Sequence, residues 1–334
     1  MASHIAELKN EIAQLKADRQ ALILAHFYED GAIQDIADHV GDSLALAQWG
    51  EKAKNPVILL AGVVFMGESV KLLSPDKTVL VPDLNAGCSL VDHSPYSKYL
   101  EWRLKHPEAL CVTYVNSSAE VKAITDVCVT SSNAEKIIGA IPKDRQILFG
   151  PDRNLGRYLA KKLDREMTIW PGACEVHVLF SQRRLQELKL KHPKAIVLAH
   201  PECDDGILNL ADVVGSTSRL LEEVRTNKER TEFIIATENG ILHQMQRSRP
   251  EATLIQAPAE GSCACNECPY MKMNTLEKIR NALRDLSPAV NVSAETAALA
   301  RVSLDRMMAL TEGRAVTWPE KFHDPHLHNL SPNA

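Results

Sequence analysis

Three loops of this chain end on cysteine at corresponding places. They are Asn85-Ala86-Gly87-Cys88, Pro171-Gly172-Ala173-Cys174, and a stretch from Glu260 that holds Cys263, Cys265 and Cys268. Thiolates drawn from three distant loops suit a four-iron cluster with one iron lacking a protein ligand, and suit less well a zinc ion with an open position. Zinc commonly takes two ligands from one short Cys-x-x-Cys knuckle. Here two of the loops offer a single cysteine each, which a wide cubane bridges better. An exposed iron acts as a Lewis acid on hydroxyl, carbonyl or carboxylate oxygen, so water leaves more easily without redox change, and dehydration chemistry follows. The third ligand stays open. Cys263 is most nearly in step with the other two, whereas Cys268 precedes Pro269 at the mouth of a helical segment, where helix-end amides favour a thiolate.

A second group of polar residues recurs with the cysteines. His26 and Tyr28, Tyr114 and Asn116, and His200 and Glu202 each follow an apolar run. His200-Pro201-Glu202 makes a proton-transfer pair, His26 is the symmetry mate of His200, and Tyr114 and Asn116 are placed to polarise a carbonyl or hold a carboxylate. Ser43, Ser131 and Ser216 with Thr217 each stand where a strand turns into a helix, so three hydroxyls with free helix-end amides form three anion cradles. The plainer reading of these serines is helix N-caps, and the two are compatible. His177, three residues past Cys174, orients the cysteine loop or simply packs.

The elements that must position these residues form a threefold internal repeat. Ser43, Ser131 and Ser216 recur at nearly equal separations, as one ancestral unit copied twice would place them. Each unit reads strand, helix, strand, helix, strand, helix, strand. Its apolar runs, such as Val57 to Ala61, are continuous rather than alternating, which marks parallel sheet covered on both faces. The expected fold class is therefore α/β: three pseudo-symmetric repeats, each a small four-stranded parallel sheet sandwiched by helices, arranged as a triangle around a central active site. Ligands of such sheets gather beyond the carboxyl ends of the strands, where the loops named above emerge. The expected boundaries are 1–104 with an N-terminal helix carrying Ile5, Leu8, Ile12 and Leu15, then 105–191, 192–274, and 275–334. The last contains helices over Thr275 to Leu286 and Ser293 to Leu310. The tail from Trp318 has no periodicity, and its His323, His326 and His328 lack a scaffold that would make them a metal site.

Composition agrees. A chain of 334 residues with 45% hydrophobic content fills two or three small cores, and a formal charge of -5 offers no basic field, so no nucleic-acid partner is expected. The run Val57 to Met66 is too short to cross a bilayer and the N-terminus lacks a secretory pattern, so no membrane is expected and the cytoplasm is. There, eight cysteines suit metal ligation or plain thiols better than disulfides.

On its motifs the chain closely resembles the quinolinate synthase family. The matching segments include Ala25-His26-Phe27-Tyr28, Gly41-Asp42-Ser43, Gly87-Cys88-Ser89-Leu90, Tyr114-Val115-Asn116, Val129-Thr130-Ser131-Ser132, Trp170-Pro171-Gly172-Ala173-Cys174, His200-Pro201-Glu202, Val214-Gly215-Ser216-Thr217-Ser218 and Cys268-Pro269-Tyr270-Met271, in order from Ala25 to Asn274. The resemblance implies condensation of iminoaspartate with dihydroxyacetone phosphate to quinolinate, with loss of phosphate and water, on the de novo route to NAD, and a functional link to an aspartate-oxidising enzyme. It implies a [4Fe-4S] cluster with one open iron on Cys88, Cys174 and Cys268, since the family's last ligand precedes Pro-aromatic-Met. It further implies substrate contacts from His26, Ser43, Tyr114, Asn116, Ser131, His200, Glu202 and Thr217, and a catalytic role for Tyr28. One departure is the Cys-x-Cys-x-x-Cys spacing of Cys263, Cys265 and Cys268, where some relatives carry Cys-x-x-Cys-x-x-Cys. The rival readings are other three-cysteine cluster enzymes, a reductive dehydratase or an S-adenosylmethionine-cleaving enzyme, and a non-catalytic metal-holding sensor.

Overall fold

The structure, a computed structural model, describes residues 2–261 and 266–324. Cys263, Cys265, His326 and His328 lie outside the described residues. Among the described residues twelve strands form three four-stranded sheets. The first contains β1 (Ala21–His26), β2 (His39–Gly41), β3 (Val57–Ala61) and β4 (Thr78–Leu80), in the order β2-β1-β3-β4. The second contains β5 (Leu110–Tyr114), β6 (Val127–Val129), β7 (Ile147–Gly150) and β8 (Thr168–Ile169), in the order β6-β5-β7-β8. The third contains β9 (Ile196–Ala199), β10 (Val213–Val214), β11 (Glu232–Ala236) and β12 (Thr253–Gln256), in the order β10-β9-β11-β12. Every ladder is parallel and the three orders are identical, so the repeat read from the sequence is the repeat of the fold.

The continuous apolar runs become the strands buried on both faces. All five residues of β3 and of β5 are buried, and such strands sit inside their sheets, whereas the two-residue β10 at a sheet edge is only half-buried. The second closing strand is shorter than its run Met167 to Trp170, because only Leu148 and Phe149 of β7 offer it partners. Since all strands run one way, the loops after β1, β5 and β9 and those after β3, β7 and β11 all leave from carboxyl ends.

By contact the chain divides into two compact units, Met1–Cys88 with Ala173–Asn291, and Ser89–Gly172 with Val292–Ala334. The first unit holds the first and third sheets. Its core joins Leu8 and Ile12 of the N-terminal helix Ala2–Asp18 to Ile279 and Leu283 of the helix Leu276–Asp285, over Ile23 and Leu59 of the first sheet. Each such side chain contributes about 1.5–3 kcal/mol when buried. Ile5, expected on the same stripe, is 40% exposed and lies off the packed face. The second unit holds the second sheet, and the helix Ala294–Thr311 packs against β6 and the helix Ala119–Ala123 with Ala300, Leu304 and Met307 buried. Thr275 and Ser293 cap these two C-terminal helices, within a residue of the starts expected.

The described part of the tail lacks regular structure, as expected, yet it is fastened to the second unit. Phe322 donates its N–H to Pro107 O at 2.8 Å, and its ring lies 4.6 Å from the buried Arg103 guanidinium. No helix among the described residues is long and apolar enough to cross a membrane.

Candidate active site

The two repeats of the first unit end their opening strands in the same way. His26 closes β1 and His200 follows β9; Nδ1 of each accepts a backbone N–H two residues on, from Tyr28 at 3.2 Å and from Glu202 at 3.4 Å. A ring that accepts at Nδ1 carries its proton on Nε2. Both rings are buried, and burial lowers the His26 pKa to about 4 and the His200 pKa to about 3, against the pull of Asp42 and Glu202, which alone would raise them. At neutral pH the site therefore presents two uncharged imidazoles with Nε2–H groups.

The loops after β2 and β10 match less closely than expected. Ser43 is the first residue of the helix Ser43–Lys52, not its cap. Asp42 caps it, accepting from Ala45 N at 2.9 Å, and its other carboxylate oxygen accepts from Ser218 Oγ at 2.7 Å. Ser216 does cap the helix Thr217–Thr226, leaving Thr217 as the structural mate of Ser43. In the second unit Ser131 sits in a turn ahead of the short helix Ala134–Gly139, because Asn133 takes the Thr130 N–H at 2.7 Å and delays the helix; the third helix-end cradle is not built there. Tyr114 ends β5 and is buried, and Asn116 Oδ1 is buried without a hydrogen-bond partner among the described residues.

Around Cys174 a second imidazole joins the expected pair. The Glu202 carboxylate lies 3.8 Å from Nδ1 of His200 and 2.9 Å from Nδ1 of His177. His200 Nδ1 also accepts the backbone N–H of Glu202. His177 Nδ1 also lies 3.2 Å from Cys174 Sγ, and its Nε2 is 3.0 Å from Thr237 Oγ1, which is 2.7 Å from Tyr28 Oη. One donor atom each from Cys174, His177 and Glu202 lies within 4.8 Å of the others. Burial first, and the Glu202 carboxylate next, hold the Tyr28 phenol well above its usual range, so it keeps its proton. His177 is thus a junction rather than a packing residue, and Thr237 is an addition of the fold. Its one sequence signal is its place directly after β11.

The other two cysteine loops adjoin each other. A Cβ on Gly87 would stand 3.3 Å from the Tyr270 ring, which brings the Cys88 loop against Cys268-Pro269-Tyr270. The Cys268 N–H donates to Glu238 Oε1 at 3.2 Å. Burial pushes the Cys268 thiol up to about 11, while hydrogen bonds from the Met271 and Tyr270 amides favour its thiolate, as expected of the short helical turn after it. None of the six described cysteines is in a disulfide. Cys111 and Cys128 are fully buried in β5 and β6.

Two buried carboxylates behind Tyr28 escaped the sequence reading. Glu29 is fully buried, accepts from Asn274 Nδ2 at 2.7 Å, and has its pKa raised by burial to about 8. Glu238, also fully buried, accepts from Gly240 N and Cys268 N and has its pKa raised by burial to about 7. Perturbed carboxyls of this kind cluster at functional sites, and both follow the carboxyl end of a strand.

Residues 10–309 match the family described as NadA: Quinolinate synthetase A protein. The chain is 47% identical over 305 residues to the quinolinate synthase of Microcystis aeruginosa (strain NIES-843 / IAM M-2473), covering 91% of this chain and 95% of that one. It is 48% identical over 306 residues to the quinolinate synthase of Prochlorococcus marinus (strain MIT 9303), covering 92% of each. It is 47% identical over 305 residues to that of Synechocystis sp. (strain ATCC 27184 / PCC 6803 / Kazusa), covering 91% of this chain and 96% of the relative. By these matches, the chain is an enzyme and belongs to the quinolinate synthase family.

Proposed function

We propose that this enzyme condenses iminoaspartate with dihydroxyacetone phosphate to give quinolinate, phosphate and water, beside a [4Fe-4S] cluster held by Cys88, Cys174 and Cys268. The observation that carries this is one chain of contacts: Tyr28 Oη, Thr237 Oγ1, His177, and then both Glu202 and Cys174. A phenol, a hydroxyl, an imidazole and a carboxylate are linked for proton transfer at the edge of a thiol that would hold metal.

The residues present fit a cluster. Cys268 Sγ takes amide hydrogen bonds that favour thiolate, and the positive charge that burial demands for ionisation is what bound iron would bring. Cys174 Sγ takes the imidazole of His177, the kind of partner that orients a metal-bound sulfur. When bound, the cluster would supply a Lewis-acidic iron that makes a hydroxyl a better leaving group.

The protein's own groups supply the rest. Neutral His26 and His200 donate from Nε2 to carboxylate, phosphate or carbonyl oxygen without adding a charge that would have to be neutralised when product leaves. Ser43 and Thr217, at the first turns of ten-residue helices, place hydroxyls and free amides for anionic groups. Tyr28 holds a proton for a substrate oxygen, and Thr237 and His177 link the phenol to the Glu202 carboxylate so that a proton taken up there can be returned to it. Together these suit tautomerisation of a keto phosphate and proton removal beside an imine. Tyr114, Asn116 and Ser131 are assigned to substrate contact by the resemblance. The unpartnered buried Oδ1 of Asn116 supports this, because such an atom is costly unless a ligand donor meets it. Iminoaspartate would be supplied by an aspartate-oxidising enzyme, and the reducing cytoplasm would keep the thiols available.

The test is anaerobic purification with iron and sulfide analysis, followed by assay of quinolinate. About four of each per chain, with quinolinate formed from the two substrates, is the expected result. Stoichiometric zinc on Cys174, His177 and Glu202, or turnover of a diphosphate or S-adenosylmethionine without quinolinate, would overturn it.

A further inference from the structure

The short loop that carries Tyr28 is held from outside its own repeat, chiefly by the segment that follows Cys268. Lys272 Nζ donates to the Tyr28 carbonyl at 3.2 Å and to Asp30 Oδ1 at 2.7 Å, while the backbone N–H of the same lysine donates to the Cys268 carbonyl at 3.2 Å. Asn274, two residues on, donates to Glu29 Oε1 at 2.7 Å and to Gly62 O at 2.9 Å. Gln34 Nε2 secures the neighbouring Phe27 and Glu29 carbonyls and reaches Gly240 O. Gly240 lies against the other side of the loop, so close that a Cβ there would come within 2.7 Å of the Tyr28 carbonyl carbon. The Tyr28 backbone is therefore clamped between Gly240 and the Lys272 ammonium. A charge-assisted donor on the carbonyl fixes the peptide plane from which the phenol projects.

We infer that Lys272 is a positioning residue that fixes the place of the Tyr28 phenol from the segment that follows the third proposed cysteine ligand. The inference rests on the relay role given to Tyr28 above. Lys272 Nζ meets the Tyr28 carbonyl, Asp30 and Glu238. Its hold on the phenol passes through the Tyr28 carbonyl, while its ion pairs with Asp30 at 2.7 Å and buried Glu238 at 3.8 Å anchor the ammonium.

The test uses the full chain with its cluster reconstituted, comparing Lys272→Met, Lys272→Arg, Tyr28→Phe and the double variant Tyr28→Phe/Lys272→Met. Lys272→Met should keep wild-type iron and sulfide content and the same cluster spectrum. Its kcat should fall about ten- to a hundredfold, as a slightly misplaced reacting group costs, with KM within about twofold because ground-state binding is untouched. Lys272→Arg, which retains the charge and donors, should recover much of the rate. The double variant should be no slower than Tyr28→Phe alone, since a group acting only through Tyr28 has nothing left to position. Losses that multiply in the double variant, an unchanged kcat in Lys272→Met, or loss of the cluster in Lys272→Met would each overturn the inference while leaving the role of Tyr28 intact. A fully active Tyr28→Phe would instead remove the reading beneath it.

Discussion

Tyr28 Oη and Thr237 Oγ1 lie 2.7 Å apart, joining a loop of the first repeat to a loop of the third across 209 positions of sequence. Thr237 is the middle of a relay and has no evident role without its two neighbours. Thr237→Val keeps the shape and removes the hydroxyl, so its turnover should fall by about 10²-fold or more, the usual worth of a positioned proton transfer. Tyr28→Phe should fall by a similar factor, and the cluster spectrum of both variants should match wild type. Full activity in Thr237→Val would break the relay.

Cysteine replacement should divide the thiols into two sets. Cys88→Ala, Cys174→Ala and Cys268→Ala should lose cluster colour and activity together. Cys111→Ala and Cys128→Ala should keep both, because these side chains are sealed inside β5 and β6, and should lose only about 1 kcal/mol of stability as ordinary core substitutions. Absorbance and iron content of the five proteins decide the matter.

Buried neutral histidines set the acid limit of the fold. His26 and His200 are held unprotonated, with pKa values of about 4 and about 3, while in the unfolded chain they bind protons near pH 6.5. Below pH 6.5 the unfolded state binds more protons than the folded one, so stability declines as pH falls through that window, by about 1.4 kcal/mol per pH unit for each such group. Denaturant midpoints measured between pH 7 and pH 5 should fall more steeply for wild type than for His26→Gln.

Glu29 imposes the opposite slope. Its folded pKa of about 8 lies above the ordinary value of 4.5, so the folded state holds the extra proton between those limits and stability is lost as pH rises through them. Glu29→Gln keeps the hydrogen-bonding shape and has no proton to lose. Its stability relative to wild type should improve on going from pH 6 to pH 8, and an equal difference at both pH values would show that the carboxyl ionises freely.

Gly240 has no room for a side chain. A Cβ would fall 2.7–2.8 Å from the carbonyl carbon, Cα and carbonyl oxygen of Tyr28, and backbone cannot retreat as a flexible side chain does. Gly240→Ala should therefore lower both melting temperature and turnover. Gly139→Ala, where nothing beyond its own stretch of helix lies within 4 Å of the added Cβ, is the matched control and should lower neither.

Much of this was legible in the linear chain because the signals are local. Continuous apolar runs mark strands buried on both faces, their spacing exposes the threefold repeat, and residues directly after the runs, such as His26, Tyr28, His200 and Glu202, must emerge at strand ends whatever the packing. The partners across space were not legible. His177 joins His200 at the Glu202 carboxylate, Asp42 rather than Ser43 caps its helix and reaches Ser218, and Lys272, Asn274, Glu29 and Glu238 lock together behind Tyr28. Those outcomes depend on which side chains meet when distant loops are brought side by side, and on how deeply they are buried. Burial, not residue type, decides that two histidines stay neutral and that two glutamates hold their protons far above the usual pH.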